Sequence, residues 1–359
     1  GVEEEYMLCD PINGELIDRA KDIFQIADEK LKKRLSYELI CSEIESNTKV
    51  CFNSLELIEQ VQLLRNKLKI IGSDLGYVLG ISGTHPTAKP KDQTFVNTEG
   101  YNWVSDQLSY YAQRNITFAL HVHIAVPNAD LCISAVNALR RWIPPLLSLS
   151  ANSPFFEGEL TGMKSSRTFQ FGTFPRTNIP ETIKDYEDFT SLVKKFIKTK
   201  TIDKTRQIWW KIRPHLDYGT IEFRMLDIQR SLRNTHMFIA ILQALTRTAI
   251  LEKNNKKLKE KLSLEILNDG LWKASRFNFE TELVDSADNK ILSMKKFINK
   301  MIDYCYDSLI YFKNESVISD VNNILNNGTE GDKQLEIFNN DGIDKLKLFL
   351  INDVEYNLK

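Results

Sequence analysis

Four short runs of this chain place ionisable residues two apart inside segments that otherwise read as β-strand. Successive side chains of a strand point to opposite faces, so residues i and i+2 look the same way. Glu3 and Glu5 therefore share a face while Val2, Glu4 and Tyr6 take the other. His121 and His123 share one with Ala125, opposed by Val122, Ile124 and Val126. Glu222 and Arg224 oppose Ile221, Phe223 and Met225, and Glu43 and Glu45 repeat the spacing. A strand with one strongly apolar face packs that face on a core and turns the other toward a cleft or solvent. If these strands are neighbours, their carboxylates converge. Like charges a few ångströms apart in low dielectric cannot all stay ionised. They protonate, pair with arginines, or bind divalent cations. Hard oxygen ligands with an imidazole suit Mg²⁺ or Mn²⁺ better than zinc. The plainer alternative is that each pair is the solvent face of an amphipathic strand. Recurrence in several runs, joined by the histidine pair, favours convergence.

The rest of the chain supplies a scaffold for such a sheet. A hairpin pattern runs over 1–17 around the turn Asp10-Pro11-Ile12-Asn13-Gly14, and further strand-like runs cover 39–51, 77–82 and 117–126. Asn53-Ser54-Leu55-Glu56 resembles a capping box ahead of Ile58, Val61, Leu64, Leu68 and Ile71 at helical spacing. Helices are expected over 100–114, from a cap at Asp130 to a kink or end at Pro144-Pro145, and over 186–197. Residues 150–180 are rich in Gly, Ser, Thr, Asn and Pro, and so long an irregular stretch in a compact domain is usually functional. Residues 209–213 and 220–228 read as paired strands around Asp217-Tyr218-Gly219. After Asn234 the texture turns helical, with Phe297, Ile298, Met301, Ile302, Tyr304, Cys305 and Leu309 forming an apolar stripe. The Lys- and Asn-rich tail beyond Glu252 reads as solvated helix faces. The class is α+β, a largely antiparallel sheet with helices on one face.

Of 359 residues, 42% are hydrophobic and 26% charged, which excludes disordered and collagenous chains. Lys and Arg number 47 against 48 Asp and Glu. That balance offers no footprint for nucleic acid or an anionic membrane, and no apolar run is long enough for a membrane helix. Five scattered cysteines without a C-x-x-C pair point to reduced thiols and a cytoplasmic location.

Neither a P-loop nor a dinucleotide-binding glycine motif is present. Clustered carboxylates holding divalent cations can still grip a triphosphate, given fixed positive charge nearby. Arg167, Arg176, Arg213 and Arg224 lie in or beside the irregular section and the strand pair after it. Arginine is the side chain for bidentate contact with carboxylate or phosphate. Trp209 and Trp210 read by default as one core and one rim aromatic. The H-x-H pair also fits a zinc hydrolase, although His85, His215 and His236 show no partner spacing.

In ordered series these stretches resemble the carboxylate–amine ligases of the type 2 glutamate–cysteine ligase family, in the glutamine synthetase-like superfamily. The matching segments are Gly1-Val2-Glu3-Glu4-Glu5-Tyr6, Ile81-Ser82-Gly83-Thr84-His85-Pro86, Leu120-His121-Val122-His123-Ile124-Ala125-Val126-Pro127 and Ser150-Ala151-Asn152-Ser153-Pro154-Phe155. Ser166-Arg167, Phe174-Pro175-Arg176, Arg213-Pro214 and Gly219-Thr220-Ile221-Glu222-Phe223-Arg224 complete the set. The resemblance runs from the first residue to about Glu282. It implies a curved, largely antiparallel sheet whose concave face holds ATP and Mg²⁺ or Mn²⁺, with a helical C-terminal part. It implies ATP-dependent joining of a carboxylate, that of glutamate in characterised members, to an amine. By resemblance Glu3, Glu5, Glu45, His121 and Glu222 are metal ligands. Arg224 contacts phosphate, Arg213 the nucleotide side, and Arg167 and Arg176 the substrate carboxylates. Glu222 and Arg224 are the residues on which catalysis rests. Glu38 is a further metal candidate that falls on the opposite strand face from Glu45 unless a bulge intervenes. Ala119 and Ala125 stand where many members have Gly, which narrows the cleft beside the histidines. The expected layout is a ligase domain over 1–313 carrying a helical extension over 314–359. Its expected partners are ATP and amino acids, with a possible homodimer, no nucleic acid and no membrane. A metal-dependent hydrolase using His121 and His123, and a non-catalytic nucleotide-binding relative, remain the alternatives.

Overall fold

The computed structural model describes residues 1–215, 217–252, 262–285, 287 and 289–358. Most of the charged stretch after Glu252 that reads as solvated helix, residues 253–261, lies outside them. The strands are β1 (Val2–Cys9), β2 (Leu35–Tyr37), β3 (Glu43–Asn47), β4 (Val78–Gly80), β5 (Ala119–Ala125), β6 (Phe155–Phe156), β7 (Glu159–Leu160), β8 (Ile212–His215), β9 (Thr220–Asp227), β10 (Glu282–Asp285) and β11 (Lys290–Ser293). The helices are α1 (Ala20–Ile26), α2 (Glu29–Lys32), α3 (Ser54–Leu75), α4 (Glu99–Leu108), α5 (Ala129–Leu139), α6 (Ile143–Ser150), α7 (Ser166–Phe171), α8 (Tyr186–Lys198), α9 (Leu232–Leu251), α10 (Leu264–Phe277), α11 (Met294–Tyr311), α12 (Val317–Asn327) and α13 (Glu330–Asn352).

Seven strands form one sheet in the order β2-β3-β1-β5-β9-β8, with β4 also paired to β1, and every pairing is antiparallel. The register brings the ionisable faces together. Glu5 lies opposite Glu45, Glu3 opposite His121, His123 opposite Glu222, and Arg213 opposite Glu222 on its other side. Val2, Leu120, Val122, Ile221, Phe223 and Met225 on the reverse face join a core with residues of α3, α5, α6, α9 and α11. A second core gathers Tyr6 and Leu8 with Leu64 and Leu68 of α3 and Leu346 and Leu350 of α13. The molecule is thus α+β, with helices layered on the apolar side of an antiparallel sheet.

Local sequence explains most element ends. Asn53 caps α3 by accepting from the Glu56 N–H, and the Glu56 carboxylate accepts from the Phe52 N–H in return. The cap of α5 is Asn128, whose side chain accepts from the Leu131 N–H, and not Asp130, which lies inside the first turn. Pro144 and Pro145 sit in the first turn of α6, where a missing N–H costs nothing. The strand expected over 39–51 is shorter, and β2 lies ahead of it across a turn. The hairpin of β10 and β11 interrupts a region whose sequence reads as helical.

Two irregularities shape the active face. Between Leu120 and Val122 of β5 the register on β9 moves from Leu226 to Phe223, so β9 spends three residues where β5 spends two. This bulge reverses the alternation, and Asp227 comes to lie opposite Ala119 on the face of Glu222 and Arg224. The second is the C-terminal pair of helices. Val317, Val321 and Ile324 of α12 enter the first core. At the start of α13 the Glu330 carboxylate accepts from the backbone N–H groups of Arg230 and Ser231. Gln334 donates to Ser82 and Asn152. Gly331 approaches Ala151 so closely that a Cβ would stand 2.9 Å from its carbonyl oxygen. Among the described residues no helix is long and apolar enough to cross a membrane.

Candidate active site

The ionisable face of the sheet floors a cavity of about 580 Å³. Glu3, Glu5, Glu38, Glu43, Glu45, His121, Arg167, Arg213 and Arg224 line it, together with Tyr101 and Trp209. Three groups of side chains there each bring their ligand atoms within 4.8 Å of one another: Glu3, His123 and Glu222; Glu3, Glu45 and His121; Glu5, Glu38 and Glu45. Every acidic or imidazole residue that the resemblance points to belongs to at least one group. Glu38 does so without a bulge. It follows β2 while Glu45 is in β3, and the turn between the strands returns Glu38 to the Glu45 side.

Compensation for this crowding differs across the face. On one side Glu222, 1% exposed, accepts from Arg213 Nε at 2.6 Å and from Arg224 at 2.5 Å. Burial pushes its carboxyl up, but the two guanidiniums outweigh that and hold it well below the usual carboxylate range. Burial likewise opposes ionisation of Glu3, and the neighbouring imidazoles of His121 and His123 still keep it low. On the other side no arginine among the described residues forms an ion pair with the acids, although Arg224 and Arg167 lie near enough to offset part of the crowding at Glu38 and Glu43. Burial, then the charge of Glu5, pushes Glu38 up to about 8. Glu43 and Glu45 are raised well above their ordinary values by burial and by neighbouring carboxylates. Without a cation these groups take up protons.

That imbalance, and the donor set, fit a hard divalent cation. The histidines are set for it too. His123 Nδ1 bonds the Thr220 hydroxyl at 3.0 Å, leaving its buried Nε2 without a hydrogen bond and 3.3 Å from Glu3. His121 Nδ1 faces Glu3 at 3.2 Å, and its Nε2 is likewise without a hydrogen-bond partner. No group among the described residues contains both histidines.

A stability measurement follows from the raised carboxyls. Their folded values lie above the ordinary 4.5, so the stability they contribute as neutral acids is complete below that value and is lost as pH rises through about 8 for Glu38. The metal-free protein is therefore expected to lose thermal stability between about pH 6.5 and pH 8, above the range in which the lowered imidazoles of His85, His121, His215 and His236 act in the opposite sense, and Mg²⁺ or Mn²⁺ to restore it most at the upper end. Glu3 and Glu222, held low, act in the opposite sense only below the ordinary carboxylate range. A melting temperature flat with pH and indifferent to either cation would show that the acids are not crowded as described.

The arginines divide into two kinds. Arg167, on α7, is 2% exposed, donates to the backbone carbonyls of Arg224 and Met225, and lies 3.8 Å from Asp227. Arg213 spends its donors on Glu222 and on the carbonyls of Arg206 and Ile208, so it buttresses Glu222. Arg176 is not among the cavity-lining residues. Its Nε donates to the Gln207 carbonyl and its guanidinium lies 5.8 Å from the Trp209 ring centre. Trp209 faces the cavity while Trp210 is buried in a small core, as the default for adjacent aromatics requires. His85 is structural, bonded to the Gly14 carbonyl and the Ala88 N–H. Residues that sequence reasoning did not assign to the site are Glu43, His123 and Tyr101. The first two showed the i, i+2 signal, whereas Tyr101 carries none.

The chain belongs to the glutamate–cysteine ligase family 2, whose family model matches residues 1–344. It is 30% identical over its whole length to a protein of Solibacter usitatus, of which it covers 94%, named provisionally as a glutamate–cysteine ligase 2. It is 31% identical over 95% of its length to one of Rubrobacter xylanophilus, 90% covered, provisionally named glutamate–cysteine ligase 2-1. Among solved structures it matches the glutamate–cysteine ligase of Francisella tularensis in complex with AMP, with TM-score 0.72, 11% identity, and coverage of 98% of this chain and 87% of that one. It also matches a bifunctional glutathione synthetase of Pasteurella multocida at TM-score 0.69 and 11% identity, over 98% of this chain and 51% of the other. These two likenesses are of fold.

Proposed function

We propose that this protein is an ATP-dependent carboxylate–amine ligase that activates the carboxylate of glutamate as an acyl phosphate for attack by an amino-acid amine. The observation that carries the reading is the convergence, on one face of the sheet, of three groups of potential cation ligands with an arginine-locked Glu222. Family membership and the AMP in the Francisella ligase support it. Residues 1–313 are proposed as the catalytic unit, with 314–359 packed on it.

A free carboxylate is a poor electrophile at neutral pH. In the first step a carboxylate oxygen forms a bond to the γ-phosphorus of ATP and the bond to the β–γ bridging oxygen breaks, releasing ADP. In the second the amine nitrogen bonds the acyl carbon, phosphate leaves, and the nitrogen loses one proton. Mg²⁺ or Mn²⁺ held by Glu3, Glu5, Glu38, Glu45, His121, His123 and Glu222 would neutralise the acids and the phosphate oxygens. Arg224, at the cavity surface and fixed by Glu222, is placed to meet charge on the transferred phosphoryl group. Arg167, which lines the cavity, would hold a substrate carboxylate.

Phosphate release from ATP, screened with glutamate and a panel of amino acids in Mg²⁺ or Mn²⁺, tests this reading. The expected result is release that needs glutamate and rises with one class of amine. Tight ATP binding with no release across the panel would leave a non-catalytic nucleotide-binding protein. Hydrolysis that proceeds without ATP would make it a hydrolase.

A further inference from the structure

Helix α4 has no buried residue, yet Glu99, Gly100, Tyr101 and Val104 line the cavity. Both of its ends are anchored. Ahead of it the Cys41 N–H donates to the Thr94 carbonyl and the Val96 N–H to the Leu39 carbonyl, which pins residues 94–96 just beyond Glu38. After it the helical path breaks at Ser109, where φ is 49°, and Ala112 is fully buried. Between these anchors α4 packs substantially only on the turn that follows it, Ser109–Arg114. A helix held at its ends and bare along its body belongs to the low-stability part of a structure, from which lids are drawn.

This helix reaches both walls of the cavity. Toward β2 the Tyr101 hydroxyl donates to the Tyr37 carbonyl at 2.6 Å and also hydrogen-bonds the Glu38 carboxyl, a member of the group formed by Glu5, Glu38 and Glu45. Toward β8 the centre of the Trp103 ring lies 6.3 Å from that of Trp209, and a Cβ built on Gly100 would stand 3.9 Å from an Arg206 Nη. Trp209 and Arg206 line the cavity as well. Carboxylate ligands of a cation are oriented by the outward hydrogen bonds they accept, and a hydroxyl bonded to a ligating carboxylate is held more tightly than one bonded to a neutral group. A lone ring-to-ring contact, by contrast, is weak enough to open and close.

We propose that Tyr101 is a positioning residue for the cation ligand Glu38, and that through it a divalent cation at Glu5, Glu38 and Glu45 closes α4 as a lid over the cavity, latched by Trp103 on Trp209. This rests on the cation sites of the functional reading and not on the reaction assigned to them.

Amide hydrogen exchange over residues 99–108, together with Mn²⁺ binding by calorimetry, tests it on the full chain. Mn²⁺ is expected to slow exchange along α4 by about fivefold or more in the wild-type protein. Tyr101→Phe is expected to abolish that slowing and to weaken Mn²⁺ binding about tenfold. Trp103→Ala leaves every cation ligand in place, so by linkage it is expected to weaken Mn²⁺ binding, by about fivefold, through the lid alone. A tyrosine that only ties α4 to Tyr37 would, once replaced, speed exchange equally with and without Mn²⁺ and leave Mn²⁺ affinity unchanged. That result overturns the proposal, as does wild-type exchange over α4 indifferent to Mn²⁺, or unchanged Mn²⁺ affinity in Trp103→Ala. Absence of Mn²⁺ binding to the wild-type protein overturns both the lid and the cation sites beneath it. Coupling of α4 to Mn²⁺ in a protein that turns over ATP with no amino acid upholds the lid and strikes the ligase reading instead.

Discussion

Glu222→Gln is expected to lower ATP turnover by on the order of a hundred- to a thousandfold, measured as phosphate release well below the melting temperature. Glutamine keeps the size of the side chain but loses the charge that holds two buried guanidiniums, Arg213 and Arg224. It also removes a carboxylate from the group formed with Glu3 and His123. Breaking a buried pair from one side costs about 3–5 kcal/mol, so a lower melting temperature is expected as well. That is why the assay temperature matters. Turnover within twofold of wild type would show that Glu222 is only a structural counterion.

Arg65→Met is expected to destabilise the fold by about 3–5 kcal/mol, a large share of the roughly 5–15 kcal/mol that holds a typical protein together. Arg65, fully buried on α3, grips Glu4 through two nitrogens at 2.9 and 2.6 Å. Its remaining donors reach the carbonyls of Gln229, Arg230 and Glu355. Methionine fills similar space but strands the Glu4 carboxylate, 1% exposed, on the core side of β1. Adding Glu4→Gln to Arg65→Met should recover part of the loss, because the uncompensated charge is the main cost. A denaturant titration showing less than about 1 kcal/mol for Arg65→Met, the size of an exposed ion pair, would contradict this account.

The active face was legible wherever chemistry and alternation coincide. Glu3 with Glu5, His121 with His123, and Glu222 with Arg224 needed only a period of two and an apolar reverse side. Legibility failed where a feature depends on what lies across the sheet. The bulge in β9 has no sequence mark, so strict alternation assigns Asp227 to the core. Glu38 was a candidate only on condition of a bulge, because one strand was assumed where two strands and a turn exist. Arg176 matched by motif; its backbone sits at φ 59° and its side chain lies over Trp209, a residue of the cavity wall.

The grip of Glu330 and Gln334 on Arg230, Ser231 and Asn152 has a practical meaning for anyone trimming or tagging this protein. Asn152 and Asp227 are joined by a hydrogen bond, and Asp227 closes the β9 strand that carries Glu222. A shortened version ending near residue 313 would strip the caps from that junction and loosen the floor from behind. The last helix serves as a keystone, and reporter fusions belong beyond it.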